Sequence, residues 1–305
     1  MDAYVLGIDG GGTKTTVCAL DVGGNVRLVF EAGAINLNGE SLENVRKNLM
    51  NIFIYASLYF GGLESCKSIC IGAAGTSNSE AKLTIKNIVR ESGYTGQLLI
   101  TGDHQAALHG ASGINVGIVL IAGTGSICYG RNSTGKEHRT GGYGYLIDDE
   151  GSGYAIGRDI LKMVVRAHDG RREATLLTGM VFEQLGVASV EDVIVFLYSK
   201  NTNKRDIAAL APNLTKAYVE GDTAAREITE KCCLELVNLV HPVVERLELV
   251  DCTLAMAGSI LQKDENISKG FTVHIGYIYP GIVCKISEND MSYGAALMAL
   301  EYLNI

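Results

Sequence analysis

The fold is decided by the stretch Gly7-Ile8-Asp9-Gly10-Gly11-Gly12-Thr13-Lys14-Thr15. One apolar segment leads into it and a second, residues 16–20, follows it, so we predict two strands joined by a glycine turn. Glycines let backbone N–H groups converge on phosphate oxygens, because no Cβ stands in the way. Asp9 can hold a metal ion through its water shell. The stretch therefore predicts a phosphate-binding turn for a magnesium nucleotide.

Two better-known glycine motifs do not fit this turn. A P-loop requires Gly directly before Lys and Ser or Thr, whereas Thr13 precedes Lys14 here. The dinucleotide-binding pattern G-x-G-x-x-G fails because Thr15 stands at its last glycine position. An ordinary glycine hairpin remains an alternative for one such turn taken alone.

A second copy of the pattern lies in the middle of the chain. Residues 116–121 form an apolar segment, Gly123-Thr124-Gly125-Ser126 forms a turn, and residues 127–130 continue as a strand. A polar turn and a third strand-like segment follow both copies. We infer a diverged duplication, in which two strand–turn–strand units face each other across a cleft and hold a triphosphate from both sides.

The composition indicates a globular protein with small-molecule partners. A chain of 305 residues with 47% hydrophobic and 20% charged residues is long enough for two domains with full cores. Its formal net charge of −8, without a basic run, argues against a nucleic-acid or anionic-membrane surface. No signal peptide or membrane span is apparent, so we expect a soluble, cytoplasmic protein.

The chain contains eight cysteines, mostly within apolar runs and without a C-x-x-C pair. We interpret them as buried thiols of a reducing cytoplasm rather than as a disulfide or metal framework.

Hydrophobic periodicity predicts most of the remaining elements. A helix is expected over residues 40–58, ending at Gly61-Gly62, and a capping box at residues 77–80 is expected to open another. From Tyr154 to about Glu248 the chain reads as mostly helical, with Pro242 kinking or splitting the last long helix. Strands are expected to return at residues 253–256 and 271–274.

Further motifs extend over nearly the whole chain: Ala34-Ile35-Asn36, Thr101-Gly102-Asp103, Gly141-Gly142-Tyr143-Gly144, Asp149-Glu150-Gly151-Ser152, Gly221-Asp222, Ala257-Gly258-Ser259 and Gly294-Ala295-Ala296. Together with the two glycine turns, they resemble the N-acetylglucosamine kinase branch of the BadF/BadG/BcrA/BcrD ATPase family, whose superfamily includes actin and hexokinase. Several motifs in the right order are far more specific than any one of them.

The resemblance implies an α/β fold of two actin-like (ribonuclease H-like) lobes with an interdomain cleft. The expected lobes are residues 1–114 plus 291–305, and residues 115–290 with a helical insertion. The implied activity is ATP-dependent phosphorylation of an amino sugar at its 6-hydroxyl, with N-acetylglucosamine first and N-acetylmuramic acid or glucosamine as further substrates. A homodimer and a role in carbohydrate metabolism and cell-wall recycling are also implied.

Phosphoryl transfer to an alcohol needs a carboxylate that accepts the hydroxyl proton. Asp103, at the end of a predicted strand, is the natural catalytic base and should also bind the sugar 6-hydroxyl. Its alternative role is to cap the helix expected over residues 105–111.

The resemblance assigns the remaining site residues to three groups. Asp9 is expected at Mg²⁺, and the ATP-binding residues are expected to be Gly10, Gly11, Gly12, Thr13, Lys14, Thr15, Gly123, Thr124, Gly125, Ser126, Gly258 and Ser259. The sugar-binding residues are expected to be Asn36, Asp103, Gly142, Tyr143, Gly144 and Asp149.

One departure from the family concerns the sugar site. Relatives often carry Trp where Tyr143 stands, and this chain contains no Trp, so sugar stacking there is expected to differ. His104, and His138 with Arg139, could meet an acidic substituent such as the lactyl group of N-acetylmuramic acid. The alternative is that they are solvated loop residues.

Two other functions compete with the kinase. An ATP-driven activator of a 2-hydroxyacyl-CoA dehydratase needs cysteines near the second glycine turn, and residues 141–157 contain none. A sugar-sensing regulator would need a DNA-binding extension, which the acidic sequence does not suggest.

Overall fold

The structure is a computed structural model that describes residues 3–11, 14–37, 40–73, 79–112, 116–287 and 289–303. The chain divides into two compact units. Unit 1 comprises Met1–Val116 with Ser287–Ile305, and unit 2 comprises Gly117–Ile286.

Unit 1 begins with a strand hairpin and then alternates helices and strands. Its elements are β1 (Tyr4–Gly10), β2 (Lys14–Asp21), β3 (Val26–Gly33), α1 (Leu42–Phe60), β4 (Cys66–Ala73), α2 (Ser79–Glu91), β5 (Gln97–Thr101) and α3 (Asp103–Ser112).

Unit 2 repeats the strands but inserts a block of helices. Its elements are β6 (Gly117–Ala122), β7 (Ser126–Arg131), β8 (Glu137–Gly141), α4 (Gly153–His168), α5 (Leu176–Leu185), α6 (Val190–Leu197), α7 (Lys204–Ala208), α8 (Pro212–Val219), α9 (Thr223–Leu247), β9 (Thr253–Ala257), α10 (Ser259–Lys263), α11 (Glu265–Ile278) and β10 (Val283–Ile286). The chain then returns to unit 1 with α12 (Met291–Glu301).

The two five-stranded sheets have the same topology. Their strand orders are β3-β2-β1-β4-β5 and β8-β7-β6-β9-β10. In each sheet the first strand of the hairpin pairs antiparallel with the second strand and parallel with a later one, namely β1 with β2 and β4, and β6 with β7 and β9. This is the ribonuclease H-like order, so the predicted fold class is confirmed for each unit and the inferred duplication is visible in the topology.

Helix α1 shows how local sequence sets an element. The side chain of Ser41 accepts a hydrogen bond from Asn44 N at the N-terminus, and Gly61, at φ 76°, ends the helix in the left-handed conformation. The helix predicted over residues 40–58 is therefore confirmed. Its buried face carries the apolar residues at helical spacing, Val45, Leu49, Ile52, Phe53 and Ala56.

The strand predicted over residues 271–274 is wrong, because this segment lies within α11. Asp264 caps that helix by accepting hydrogen bonds from Asn266 N and Ile267 N. Ile267, Phe271 and Ile275 follow at intervals of four and are fully buried, so the apolar pattern is helical. The last strand of the sheet comes later, at β10.

Two other local expectations are resolved differently. Helix α9 runs through Pro242 as one element of 25 residues, so the proline does not split it. The predicted capping box falls partly on residues 77 and 78, which lie outside the described residues, and α2 begins at Ser79.

All eight cysteines are free thiols, and six of them are buried. Burial is the main reason that the pKa of every one of these thiols is raised. The cysteines of both units therefore act as small apolar core residues at neutral pH.

Helix α12 packs directly on the backbone of β1 and α3. A Cβ on Gly7 would come within 2.0 Å of Ala296 N, and one on Gly294 within 2.0 Å of Ala106 O and 2.6 Å of Gly110 N. The amide of Asn289 adds a 3.0 Å hydrogen bond to Gly110 O. Since no side chain separates these backbones, glycine is required at positions 7 and 294.

The substitution Gly294→Ala should therefore lower the free energy of unfolding by about 3 kcal/mol or more, because the added methyl group meets backbone atoms that cannot rotate away. Gly276→Ala is the matched control, since Gly276 lies in α11 and its added Cβ meets nothing within 4 Å. That variant should be neutral or more stable by up to about 1 kcal/mol. Urea unfolding followed by circular dichroism measures both, and equal effects would contradict the packing argument.

Candidate active site

The first glycine turn lies at the end of β1, where side chains would not fit. A Cβ on Gly10 would lie 2.8 Å from both Ala73 and Ile35 side-chain atoms. Gly11 N–H donates to Asp9 O at 3.1 Å, and a Cβ on Gly11 would lie 2.6 Å from Lys14 O. Gly12 and Thr13, the other predicted phosphate residues of the turn, lie outside the described residues.

The two polar side chains after the turn bind the neighbouring strand β3. Thr15 is buried, and its hydroxyl donates to Gly33 O at 2.8 Å. The Lys14 ammonium is ion-paired with the Glu31 carboxylate at the surface. In this structure both side chains hold the hairpin together, which leaves the backbone of the turn as the part that can face a phosphate.

Two other aspartates of unit 1 act on Asp9 at the end of β1. Burial, followed by the negative charges of Asp290 and Asp103, raises the pKa of Asp9 to about 7, against the opposing charge of Lys14. Sequence reasoning missed Asp290, which is the N-cap of α12 and accepts a hydrogen bond from Ser292 N at 2.7 Å. The Asp-x-Ser pattern at the start of the C-terminal helix indicates a helix cap. It does not indicate that this carboxylate lies near Asp9.

These carboxylates do not form a direct metal cage. Among the described residues, no group of three or more His, Cys, Asp or Glu side chains is arranged to hold a metal ion. An octahedral cation that keeps several waters needs only one or two protein carboxylates, so Asp9 fits the predicted water-mediated role.

Asp103 is the first residue of α3, directly after β5. The carbonyl of Gly102 accepts the N–H groups of Gln105 and Ala106, so the helix starts there. Within the described stretches of the chain, the Asp103 carboxylate accepts only its neighbour's N–H, His104 N at 2.9 Å, and it lies 3.3 Å from His104 Nδ1. It therefore does not cap the helix, the alternative role considered from sequence, and 31% of its side chain remains exposed.

Asn36 lies in the loop after β3. Asn48 of α1 fixes this loop by donating from its amide to Ala34 O at 2.8 Å. Glu40 N–H closes it by donating to Asn36 O at 3.0 Å, and Ile35 is fully buried beneath it. The loop thus holds Asn36 at a defined place in unit 1.

In unit 2, the second glycine turn is hydrogen-bonded to the start of α4. Gly123 N–H donates to Gly125 O at 2.9 Å, and Gly153 N–H donates to Gly123 O at 2.7 Å. The Ser126 hydroxyl donates to Glu150 O at 2.6 Å. The turn and the segment 149–153 are therefore one hydrogen-bonded structure.

Asp149 is at the centre of that structure. It adopts the left-handed conformation at φ 64°, is only 4% exposed, and accepts the Ser126 N–H at 3.4 Å. A Cβ on Gly125 would lie 2.9 Å from its Oδ2 atom. Burial raises the pKa of this carboxyl group. The carboxylate predicted to bind sugar thus also packs on the second glycine turn.

Charged residues behind this segment were missed by sequence reasoning. The Glu150 carboxylate pairs with the Arg158 guanidinium, and Asp159 accepts from Lys162 at 2.9 Å and Lys231 at 2.6 Å. These pairs link the segment to α4 and α9. No short sequence motif reveals these pairs, because their members range from Glu150 to Lys231.

A second loop, residues 142–148, carries the predicted sugar residues Gly142, Tyr143 and Gly144. Both glycines have positive φ, 74° and 100°. Tyr143 N–H donates to Asp148 Oδ2 at 3.0 Å, while the ring is 65% exposed. The backbone of the loop is fixed and its aromatic side chain is available to a ligand.

A cavity of 450 Å³ opens beside the second glycine turn of unit 2. Gly123, Thr124 and Ser259 line it, as the predicted nucleotide assignment requires. Gly258 precedes this wall, and its φ of 87° and a Cβ distance of 2.4 Å to Ala122 O show why it is glycine. Sequence reasoning missed the rest of the lining, which includes Ile156, Arg205, Ala208, Pro212, Thr215, Lys263 and Asp264.

A slightly larger cavity of 530 Å³ lies between the end of α4 and the start of α9. Its lining includes Arg171, Ala174 and Glu227 but none of the predicted site residues. Size alone therefore does not identify the functional cavity.

Comparison with known proteins places these features in a family. The chain is 36% identical over 299 residues to the N-acetylmuramic acid/N-acetylglucosamine kinase of Clostridium acetobutylicum, covering 97% of this chain and 98% of that protein. It is 31% identical over 311 residues to the N-acetyl-D-glucosamine kinase of Dictyostelium discoideum, covering 97% of each.

Among solved structures, that of a candidate N-acetylglucosamine kinase from Chromobacterium violaceum superposes with a TM-score of 0.77 at 20% identity. The match covers 98% of this chain and 99% of that one and shows a shared fold. The model of the BadF/BadG/BcrA/BcrD ATPase family matches residues 6–299. The chain therefore belongs to the BadF/BadG/BcrA/BcrD ATPase family.

Proposed function

We propose that the protein is an ATP-dependent amino-sugar kinase that phosphorylates the 6-hydroxyl of N-acetylglucosamine and also accepts N-acetylmuramic acid or glucosamine. The observation that carries this proposal is the hydrogen-bonded structure of unit 2. Ser126 joins the glycine turn beside the 450 Å³ cavity to the segment that contains Asp149. The named activities of the two sugar-kinase relatives support the same function.

The nucleotide is assigned to the 450 Å³ cavity, whose volume is in the range of small-ligand sites. Ile156, Pro212 and the methyl groups of the nearby alanines give it an apolar wall suited to a base. The turn Gly123–Gly125 supplies backbone for the phosphates, and the N-terminus of the 16-residue helix α4 adds a partial positive charge. The first N–H groups of α4 are already bonded to Gly123 O, Thr124 O and Ser152. Gly258 and Ser259 form the adenosine side.

Catalysis is assigned to unit 1. Asp103 accepts the proton of the sugar 6-hydroxyl, since its carboxylate is partly exposed and is not used as a helix cap. The backbone of residues 10–15 binds phosphate oxygens, and Asp9 holds the waters of Mg²⁺. When bound, Mg²⁺ neutralises charge on the phosphate groups during transfer.

Sugar binding is assigned to Asn36 and Asp103 of unit 1 and to Gly142, Tyr143, Gly144 and Asp149 of unit 2. Amide and carboxylate groups suit paired contacts to neighbouring hydroxyls, and an exposed aromatic ring suits the sugar face. The fixed backbones around Asn36 and Tyr143 are consistent with preorganised contacts.

The dehydratase activator is the weaker alternative. Its shared iron–sulfur cluster needs cysteine ligands near the second glycine turn, and no cysteine stands in residues 141–157. The kinase relatives, at 36% and 31% identity over most of the chain, favour phosphoryl transfer to a sugar.

The setting of the reaction is part of the proposal. We infer a cytoplasmic homodimer that acts in amino-sugar metabolism and cell-wall recycling. Within the described ranges, no helix combines the length and apolar character that a membrane crossing requires.

Replacing the proposed base, Asp103→Asn, should lower sugar-dependent ADP release by about 10²–10⁴-fold, because the amide cannot accept the hydroxyl proton. A coupled assay over a panel of amino sugars measures this loss. Asp251→Asn, at an exposed turn of unit 2, is the control and should keep full activity. Hydrolysis that needs no sugar and survives in Asp103→Asn would instead favour the activator.

Filling the nucleotide cavity with Ala208→Phe should raise KM for ATP about tenfold or more, because the ring occupies space assigned to the base. KM for the sugar should change much less. Ala174→Phe fills the 530 Å³ cavity in the same unit and serves as the matched control. Equal effects of the two variants on KM for ATP would place the nucleotide elsewhere.

The raised pKa of Asp9 gives a stability prediction for the protein without Mg²⁺ and nucleotide. A folded-state pKa of about 7, above the ordinary value of 3.8, means that folding favours the protonated form, so this contribution to stability is lost as pH rises toward 7. Asp9→Asn removes that loss. Its stability relative to wild type should increase by about 1–2 kcal/mol between pH 5 and pH 8.

Thermal unfolding at several pH values tests this prediction. Asp251→Asn, which removes an exposed carboxylate, is the control. The gap to wild type should change with pH more in Asp9→Asn than in the control. A constant gap for Asp9→Asn would show that Asp9 is not electrostatically strained.

A further inference from the structure

Arg139 is a charged residue beside the sugar loop that the proposed mechanism does not use. It lies on β8, paired in register with Tyr129 of β7. Its neighbour Thr140 donates to Leu239 O of α9 and pairs in register with Cys128, which belongs to the core beneath α9. Since side chains alternate along a strand, Arg139 points to the face opposite α9.

His138 shares the α9 side of the strand with Thr140. Burial lowers the pKa of His138, and the positive charges of Arg246 and Lys136 lower it further, which favours the neutral ring at pH 7. The pair His138 and Arg139 therefore does not act as one cationic site. Of these two residues, only Arg139 lies on the side of the strand that faces the Tyr143 ring.

The guanidinium of Arg139 forms no ion pair within the part of the chain that the structure describes. Two carboxylates close to Arg139 in sequence have other partners. Glu137 pairs with Arg131 at 3.8 Å, and Asp148 accepts the Tyr143 N–H at 3.0 Å. The positive charge of this half-buried arginine is therefore not compensated by an acidic side chain among the described residues, and it can attract an anionic ligand.

The ring of Tyr143 orients this guanidinium. The Arg139 Cζ atom lies 4.7 Å from the centroid of the Tyr143 ring. A cation–π contact of this kind uses none of the N–H donors of the guanidinium. Because Tyr143 belongs to the loop assigned to the sugar, these donors lie beside the sugar-binding residues.

We propose that Arg139 is a specificity-determining residue that binds a carboxylate carried by the sugar. N-acetylmuramic acid differs from N-acetylglucosamine by a lactyl ether, whose carboxylate can form two parallel hydrogen bonds with the guanidinium edge. N-acetylglucosamine offers no such group, and the ammonium of glucosamine is repelled by the same charge. The inference rests on the proposed amino-sugar site.

The test compares N-acetylmuramic acid with N-acetylglucosamine in wild type, Arg139→Gln and Arg139→Lys. In Arg139→Gln, the ratio of kcat/KM for N-acetylmuramic acid to that for N-acetylglucosamine should fall about 10- to 100-fold, because a charge-assisted pair is lost. Arg139→Lys keeps the charge but not the two-point geometry and should give an intermediate ratio. Arg131→Gln, in the exposed Glu137 pair on the same hairpin, is the matched control and should leave the ratio unchanged.

Calorimetric binding of both sugars to the same proteins separates this inference from the kinase assignment. If no sugar is phosphorylated but Arg139→Gln loses N-acetylmuramic acid binding selectively, the kinase proposal fails and this one stands. A ratio within about twofold of wild type would overturn the role of Arg139. Equal losses for both sugars, or a wild type that does not bind N-acetylmuramic acid, would overturn it as well.

Discussion

The structure of unit 1 depends on direct contact between three backbones, made possible by glycines at positions 7, 110 and 294. This contact seats α12 on β1 and α3, and so brings Asp290 close to Asp9. The carboxylate at the end of β1 is thereby buried beside two like charges, which is unfavourable until a cation offsets them. Close backbone packing at these glycines thus sets the charges that surround the predicted phosphate turn.

In unit 2, hydrogen bonds rather than backbone packing fix the candidate site. Its glycine turn is held by Ser126 and by the N–H of Gly153, while the Asp149 carboxylate packs on the same turn. A ligand that moves one part of this structure must strain the other, because a left-handed Asp149 leaves little freedom between them. Ser126 therefore couples the glycine turn to the segment that contains Asp149, the two parts to which we assign nucleotide and sugar in the proposed function.

The sequence predicted what is local and missed what is distant. The hairpins, the duplicated order and α1 follow from glycine turns, caps and periodicity within short windows. The segment Phe271–His274 was misassigned because β-branched and aromatic residues fit a strand locally, while the helical spacing of Ile267 and Ile275 becomes decisive only in the packed core. The position of Asp290 beside Asp9, and that of Pro212 in the cavity lining, could not be read from the sequence, since their neighbours in space come from remote parts of the chain.

The burial of the cysteines has a practical consequence. At neutral pH very little of any native sulfhydryl exists as thiolate, the form that attacks alkylating reagents. A cysteine engineered onto the surface would react with a maleimide dye far faster than the eight natural ones. Fluorescent probes can therefore be attached at chosen positions without first replacing the native cysteines.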